Sequence, residues 1–334
     1  MGRRRARALL LALAGVAGAA LALVAAAAAA PPPLPDRPAV EVYGFAPGDP
    51  PDPPDPNSSY DWSVLTTVAW RTDRETVAAA RAHGRRVDLD ARAGVAEAVA
   101  RGTVADAARW VAATVSALLS KGLDGVNFDL ESPIDDPAVA NAYTGLVAAT
   151  AAAAKAATLG AARVTVDVPF LPYDGDGRDY DYAGLAAAAD ALFVMAYDMQ
   201  ALMFGRCVAA ANAPLPLVER AVDAWLALGV PADKLILGLP WYGYTYECID
   251  DDDEEEEEEE EDGRGGSGGG GDARDLCRIA PVPYAGAPCS DAGGQQIGYA
   301  QIMERESLCV CGRVGAKKRA RAGAVVVETG SSSL

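Results

Sequence analysis

Residues 124–131 form the segment whose residue types and spacing point most directly to acid–base chemistry. They read Asp124-Gly-Val-Asn-Phe-Asp-Leu-Glu131. Because successive side chains of a strand point to opposite faces, Asn127, Asp129 and Glu131 are expected to share one face. Like charges two residues apart on one face disfavour joint ionisation, so one of the two acids should have a raised pKa. A carboxylic acid that keeps its proton near neutral pH is what general acid catalysis requires.

The alternative for this segment is a strand end that runs into a solvated acidic loop. Ser132 and Pro133 follow Glu131 directly, which favours such a loop. A loop accounts for Glu131 alone, but it does not explain why Val126, Phe128 and Leu130 alternate with the polar residues. We therefore interpret the segment as a candidate catalytic strand.

The elements that must position this strand alternate between short apolar runs and alanine-rich helical stretches. That alternation is typical of βα units and a parallel sheet. Strands are predicted at 40–45, 64–70, 86–90, 125–130, 164–168, 191–197 and 235–239. Helices are predicted at 73–83, 104–121, 136–158, 181–189 and 217–228.

Seven such strands with polar residues at their carboxyl ends predict an α/β protein with a (β/α)8 TIM barrel. The eighth strand is truncated or divergent, because only residues 324–327 could supply a short closing strand. A doubly wound open sheet is the alternative fold. It would normally carry a glycine-rich phosphate loop after an early strand, and the sequence has none.

Barrel enzymes place their reactive groups at the carboxyl ends of the strands. Asp167 lies near the end of the fifth predicted strand, Tyr197 and Asp198 end the sixth, and Trp241 follows the seventh. Aromatic rings at such a rim suit sugars, whose apolar C–H faces stack on Trp and Tyr while their hydroxyls bind polar oxygens. For Tyr197 and Trp241, simple filling of the core is the structural alternative.

The amino-terminal residues predict entry into the secretory pathway. Four arginines precede an apolar stretch at 8–30 that ends in alanines, which is the pattern of a secretory signal peptide over residues 1–30. A signal anchor is the alternative, since the stretch is just long enough to span a bilayer. The alanine-rich end favours cleavage, so no stable membrane association is expected afterwards. Residues 31–38 form a proline-rich linker.

The cysteines and the charge distribution limit the kinds of site and partner that the protein could have. All six cysteines lie between Cys207 and Cys311, and in a secreted chain they predict disulfides that pin loops, with the pairing left open. His83 is the single histidine, which argues against a His/Cys metal site, and we expect neither metal nor cofactor. The formal net charge is −18, but residues 250–262 are thirteen consecutive acids, and without them it is −5. This acidic balance argues against nucleic-acid binding.

The octet 124–131 resembles the Asp-x-x-Asp-x-Asp-x-Glu signature of glycoside hydrolase family 18, the chitinase-like enzymes. Position 127 is asparagine where most of the family has aspartate, and in this the sequence resembles the di-N-acetylchitobiase branch of that family. The resemblance extends over residues 39–303 and is carried by five further groups of residues. These read Ser59-Tyr-Asp-Trp-Ser63, Leu192-Phe-Val-Met-Ala-Tyr-Asp198, Leu237-Gly-Leu-Pro-Trp-Tyr-Gly-Tyr244, and two cysteine-containing stretches at 207–214 and 277–291.

The resemblance implies hydrolysis of β-1,4 links between N-acetylglucosamine units with retention, the substrate's own acetamido group acting as nucleophile. Glu131 is then the proton donor, Asp129 orients the acetamido group and helps to raise the pKa of Glu131, and Tyr197 donates a hydrogen bond to the acetamido oxygen. Asp124 and Asn127 support these groups, whereas Asp198 and Trp241 contact the sugar. The expected partners are N-acetylglucosamine oligosaccharides or chitin, bound by a monomer in the extracellular space, lysosome or vacuole.

Two segments depart from the family pattern. Residues 250–271 form an acidic and glycine-rich insert that we expect to be solvated. Residues 304–334 differ from the family in pattern, and no tryptophan follows Trp241, although the branch ends its eighth strand with one. Binding of glycans without catalysis is therefore the alternative function. A third possibility is a chain that does not fold.

Overall fold

The computed structural model describes residues 40–46, 60–173, 177–199, 207–249, 277–284, 287–299 and 301–302, and the backbone of 324–325. The chain divides into two compact units. The first contains the described residues of Met1–Met195 and of Ala221–Gly238, and the second those of Ala196–Arg220 and of Leu239–Leu334.

The first unit contains a parallel seven-stranded sheet whose strands pair in sequence order. The strands are β1 Tyr43–Phe45, β2 Thr67–Ala69, β3 Arg86–Asp90, β4 Gly125–Phe128, β5 Arg163–Pro169, β6 Ala191–Met195 and β7 Leu235–Gly238. All seven predicted strands are present, and their order confirms the predicted α/β barrel architecture. The apolar runs form strands because both faces of a parallel sheet are covered.

The two edge strands of this sheet differ from the five between them. Strands β2 to β6 are almost entirely buried, whereas β1 is half-buried and Leu237 of β7 is 41% exposed. The candidate closing strand lies elsewhere: Ala324–Val325 (β10) pairs antiparallel with Tyr246 and Thr245 of the second unit. Within the described residues the barrel sheet therefore has seven strands.

Among the described residues, six α-helices accompany the strands. They are α1 Arg74–Ala82, α2 Val95–Arg101, α3 Val104–Lys121, α4 Pro137–Ala157, α5 Tyr182–Ala188 and α6 Leu215–Ala227. Polar caps explain where three of them begin: Asp73, Thr103 and Asp136 each accept a backbone N–H of the first turn. Helix α2 was not predicted, because its seven residues between Gly94 and Gly102 are too few for a helical repeat to stand out in the sequence.

The second unit contains a small antiparallel sheet and two disulfides. Strand β8 Tyr242–Tyr246 lies between β9 Gln295–Gly298 and β10. The disulfides join Cys207 to Cys289 and Cys248 to Cys277, which confirms that cysteines tie loops together. None of the described helices is long and apolar enough to cross a bilayer.

Several sequence predictions lie outside the described residues. They concern the signal peptide 1–30, the linker 31–38, the insert 250–271, Cys309 and Cys311, and all of the tail 304–334 except β10.

Candidate active site

Strand β4 places its apolar and polar residues on opposite faces, as the sequence predicted. Phe128 packs against Trp110 of α3 and Tyr143 of α4, with ring centroids 5.4 and 6.2 Å apart. Asn127 points the other way and lies opposite Thr165 of β5 in the sheet register. The strand ends at Phe128, two residues earlier than predicted, so Asp129 and Glu131 lie on the segment that leaves the sheet.

Asn127 is held by three side chains, two from strand β5 and one from the residue that follows β2. Its Nδ2 donates to Thr165 Oγ1 at 3.0 Å and to Asp167 Oδ1 at 2.7 Å, and its Oδ1 accepts the indole N–H of Trp70 at 2.7 Å. The side chain is fully buried. Both amide protons and the carbonyl are therefore satisfied, and the orientation of the amide is fixed.

Trp70 reaches Asn127 from an unusual backbone conformation. Its φ is +77°, a left-handed value that costs a bulky residue about 1–3 kcal/mol. The Arg92 guanidinium lies 3.8 Å from the ring centroid and makes two-pronged hydrogen bonds to the Asp90 carboxylate. This arrangement fixes the indole and places one positive charge beside the acidic cluster.

Asp129 is a buried carboxyl group with an unused acceptor. Only 8% of the residue is exposed, and Oδ1 is buried without a hydrogen-bond partner in the described structure. Burial, and after it the Glu131 carboxylate, raises the pKa of Asp129 to about 7, although the Arg92 charge opposes this. The raised pKa expected for one of the two acids therefore lies on Asp129.

Asp167 extends the acidic cluster. It is buried on β5 beside Asn127, and burial followed by the Asp129 charge raises its pKa well above the usual range for aspartate. The hydrogen bond from Asn127 acts in the opposite direction by stabilising the carboxylate. Asp129, Asp167 and Glu131 thus influence one another, and a proton is retained in the cluster near neutral pH.

Glu131 differs from its neighbours because its side chain is 55% exposed. Arg178 Nη1 donates to Glu131 Oε2 at 3.3 Å. The charge of the Glu131 carboxylate raises the pKa of Asp129. An accessible carboxyl beside a buried one can exchange a proton with a substrate while its neighbour stays shielded from water.

Asp124 does not join this cluster, although it belongs to the same octet. It precedes β4 and therefore lies at the amino end of the strand, where its Oδ2 accepts the backbone N–H of Val87 at 2.8 Å. Arg81 of α1 pairs with its Oδ1 at 2.6 Å. These contacts tie a helix to two strands, so Asp124 supports the amino end of β4 and lies away from the acidic cluster at the other end of the strand.

The other predicted site residues lie in the second unit. Asp198 is exposed, has φ of +53°, and its carboxylate accepts the hydroxyl groups of Tyr242 at 2.8 Å and Tyr244 at 3.0 Å. Its backbone N–H donates to Asn212 Oδ1 at 2.6 Å. Tyr197 is half-buried, with its ring 6.1 Å from that of Tyr242.

Trp241 is 75% exposed and packs on Tyr299, with ring centroids 4.5 Å apart. Its exposure contradicts the alternative that this ring fills the core. It leaves a broad aromatic face in contact with solvent.

Five residues that organise these groups were not predicted: Trp70, Arg92, Arg178, Tyr180 and Asn212. All five lie outside the helices and strands, where hydrophobic periodicity gives no signal. The tyrosine- and aspartate-rich run at 179–182 was the one local signal. No group of three potential metal ligands comes together within the described residues.

Comparisons with known proteins point to the same family as the octet at 124–131. Residues 97–287 match the family described as Glycosyl hydrolases family 18. Di-N-acetylchitobiase from Rattus norvegicus is 35% identical over 257 residues, which cover 76% of this chain and 64% of the rat protein. The Mus musculus and Homo sapiens proteins of that name are each 34% identical, with 83% and 77% of this chain and 68% and 61% of theirs covered. The chain thus spans about two thirds of the length of these relatives.

Solved structures show the same fold at lower identity. The class V chitinase from Nicotiana tobaccum has a TM-score of 0.59 at 17% identity, with 80% of this chain and 78% of the other covered. A chitinase from Cycas revoluta in complex with (GlcNAc)3 has a TM-score of 0.56 at 18% identity, with 79% of each chain covered. The fold, the octet and the family match agree, and the chain belongs to glycosyl hydrolases family 18.

Proposed function

We propose that this protein hydrolyses β-1,4 links in chitobiose or short chito-oligosaccharides by a retaining, substrate-assisted mechanism. The observation that carries the proposal is the pair formed by Asp129 and Glu131. Asp129 offers a buried, unpaired carboxyl oxygen, and Glu131, two residues later, offers an accessible carboxyl group. The names of the similar proteins, di-N-acetylchitobiases and chitinases, support the same substrate class.

In the first step Glu131 donates its proton to the glycosidic oxygen, and the acetamido carbonyl oxygen attacks C1. The C1–O bond breaks, the leaving sugar departs as an alcohol, and Glu131 becomes a carboxylate. In the second step that carboxylate removes a proton from water, which attacks C1 and restores the acetamido group. One water is consumed, and the configuration at C1 is retained after two inversions.

Asp129 accepts the acetamido N–H and stabilises the positive charge that develops when this group closes on C1. Asn127, which three side chains hold in place, keeps the Asp129 backbone in position. Tyr197 donates to the acetamido oxygen, and Asp198 and Trp241 contact the sugar. Trp70 and Arg92 support this arrangement through Asn127 and through the charge beside Asp129.

We place the protein in the secretory pathway, acting outside the cell or in a lysosome-like compartment, as a monomer. Two disulfides support an oxidising route, since such bonds are rare in reducing compartments.

The proposal is tested by incubating the full-length secreted protein with two fluorogenic disaccharides. One is a β-chitobioside, and the other is a β-cellobioside, which has hydroxyl groups where the first has acetamido groups. Release from the chitobioside alone is expected, because only that substrate carries the internal nucleophile. Equal release from both would exclude substrate assistance. Retention on a chito-oligosaccharide column without any release would support the binding-only alternative.

The pH dependence of kcat/KM for the chitobioside should follow the acidic cluster. The pair of Asp129 and Glu131 must hold one proton for the first step, and the pKa of Asp129 of about 7 means that this proton is lost as pH rises through neutrality. We expect kcat/KM at pH 8 to be about tenfold lower than at pH 6, since kcat/KM reports ionisations of the free enzyme. Asp129→Asn should move this decline away from pH 7. A wild-type profile that stays flat from pH 5 to 8.5 would contradict the assignment.

A further inference from the structure

Residues 177–182 form a brace, as we name this segment, against the loop that carries Glu131. The backbone N–H of Ile134 donates to the Gly177 carbonyl at 2.9 Å, and that of Asp179 donates to the Ile134 carbonyl at 3.0 Å. These two bonds make a short parallel bridge between the brace and the loop. The brace comes from the β5–α5 connection, so a different part of the chain supports the segment after β4.

Tyr180 is the centre of the brace. Its hydroxyl lies 2.7 Å from the Leu130 carbonyl and 2.7 Å from the Ser132 carbonyl, which belong to the residues just before and just after Glu131. The single phenolic proton is shared between these two acceptors. The residue is buried, and its ring packs between those of Tyr143 and Tyr182, at 5.5 and 5.7 Å. A fixed hydroxyl therefore holds the backbone on both sides of the proposed proton donor.

Arg178, another residue of the brace, holds the side chain of Glu131. Its guanidinium donates to Glu131 Oε2, and only 10% of the arginine side chain is exposed. Its own carbonyl accepts the Tyr182 hydroxyl at 2.6 Å, which anchors the arginine backbone. One residue of the brace thus contacts the Glu131 carboxylate, and another contacts the carbonyl oxygens of the residues before and after it.

We propose that Tyr180 and Arg178 are positioning residues for Glu131, so that the brace sets where the proton donor meets the glycosidic oxygen. This inference rests on the proposed function. Glu131 is exposed and lies beyond the last hydrogen-bonded residue of β4, so the sheet alone does not hold it. A displacement of about 1 Å can cost a reaction about 10²-fold, and the brace opposes such a displacement.

The first test compares Tyr180→Phe with Tyr143→Phe in the full chain. Both changes remove one buried phenolic oxygen from neighbouring rings, but the Tyr143 hydroxyl has no hydrogen-bond partner in the described structure. We expect Tyr180→Phe to lower kcat for the chitobioside by about 10- to 100-fold with KM changed less than about twofold. Tyr143→Phe should keep wild-type values. Equal kcat in the two variants, with an active wild type, would overturn the inference and leave the proposed function standing.

The second test separates the charge of Arg178 from its bulk. Arg178→Met removes the donor to Glu131, whereas Arg178→Lys keeps a positive charge on a stem of similar length. We expect kcat to fall about tenfold or more in Arg178→Met and to recover in part in Arg178→Lys. Equal loss in both variants, accompanied by equal loss of thermal stability, would indicate a purely structural role.

A third measurement does not depend on turnover. It therefore tests whether the Tyr180 hydroxyl holds the loop that carries Glu131, even if the wild type is inactive. Backbone amide hydrogen exchange at Glu131, Ser132 and Ile134 should be faster in Tyr180→Phe than in wild type and in Tyr143→Phe. Unchanged exchange in Tyr180→Phe would show that the hydroxyl does not hold this loop.

Discussion

Replacing Glu131 by glutamine is expected to lower kcat for β-chitobioside hydrolysis by about 10²- to 10⁴-fold. Glutamine has the size and shape of glutamate but has no acidic proton to donate and cannot remove one from water. Its side-chain oxygen can still accept from Arg178, which lies 3.3 Å from Glu131 Oε2. The loop geometry should therefore persist, so that the loss reports the missing proton transfer.

The matched control for this change is Glu219→Gln, at an exposed glutamate of α6. It makes the same chemical replacement and should retain wild-type kcat and KM. Thermal melts of both variants should coincide with that of the wild type. Turnover by Glu131→Gln within about twofold of the wild type would exclude Glu131 as the proton donor.

A second readout of Glu131→Gln concerns its neighbour. The Glu131 charge is the second-largest cause of the raised Asp129 pKa, after burial. Removing that charge should lower the pKa of Asp129 below about 7, and a carboxyl carbon NMR titration would measure the change. An unchanged Asp129 titration would indicate that the two carboxyl groups do not act as a coupled pair.

The sheet could be predicted from the sequence because its strands are buried on both faces. Runs such as those at β5 and β6 are apolar throughout, and the intervening helices have polar caps at Asp73, Thr103 and Asp136. The ends of strands could not be predicted in the same way, since β4 ends at Phe128 although the alternating pattern continues to Leu130. The octet identified the acids because alternation is a local property of the chain.

The contacts around those acids could not be predicted, because they join residues far apart in sequence. Trp70 reaches Asn127 across 57 positions, and Tyr180 reaches Leu130 across 50. A left-handed tryptophan and a shared tyrosine proton leave no periodic signature. For the same reason the spacing alone grouped Asp124 with Glu131, although the sheet register places Asp124 at the opposite end of β4.

Asp88 is a further buried acid, and it is expected to control how the free energy of unfolding depends on pH. It lies on β3, where its Oδ2 accepts the Tyr43 hydroxyl at 2.8 Å and its Oδ1 has no partner in the described structure. Gly125 lies against it so closely that a Cβ there would meet the carboxyl group and, at 2.8 Å, the Arg163 carbonyl. Burial raises the pKa of Asp88 to about 7; the Tyr43 hydrogen bond opposes this, and the Asp124 charge adds to it.

The sign of the effect follows from the direction of the shift. Asp88 binds its proton more tightly in the folded chain than in the unfolded chain, where the ordinary value is 3.8. Its contribution to stability is therefore complete below about pH 4 and is lost as pH rises to about 7. At ~1.4 kcal/mol per pKa unit, the loss is at most about 4 kcal/mol. Asp129 and Asp167, whose pKa values are also raised, act in the same direction.

We therefore expect the free energy of unfolding of the wild type to fall between pH 4.5 and 7.5, as measured by urea titration at each pH. Asp88→Asn should reduce that fall by about 2–4 kcal/mol, because asparagine cannot ionise in either state. The amide places a donor where Oδ1 now lacks a partner, which costs about 1–3 kcal/mol at every pH. The quantity to compare is thus the slope of the unfolding free energy against pH, and not its absolute value.

Asp223→Asn, at an exposed aspartate of α6, should follow the wild-type slope and serves as the control. A wild type whose unfolding free energy is constant across this range would show that Asp88 is ionised at little cost in the folded chain. The expected fall instead makes the protein most stable at acidic pH, where the Asp129–Glu131 pair also keeps the proton that the reaction needs. Because the same burial in the barrel raises the pKa values of Asp88 and Asp129, stability and turnover should decline together as pH rises through neutrality.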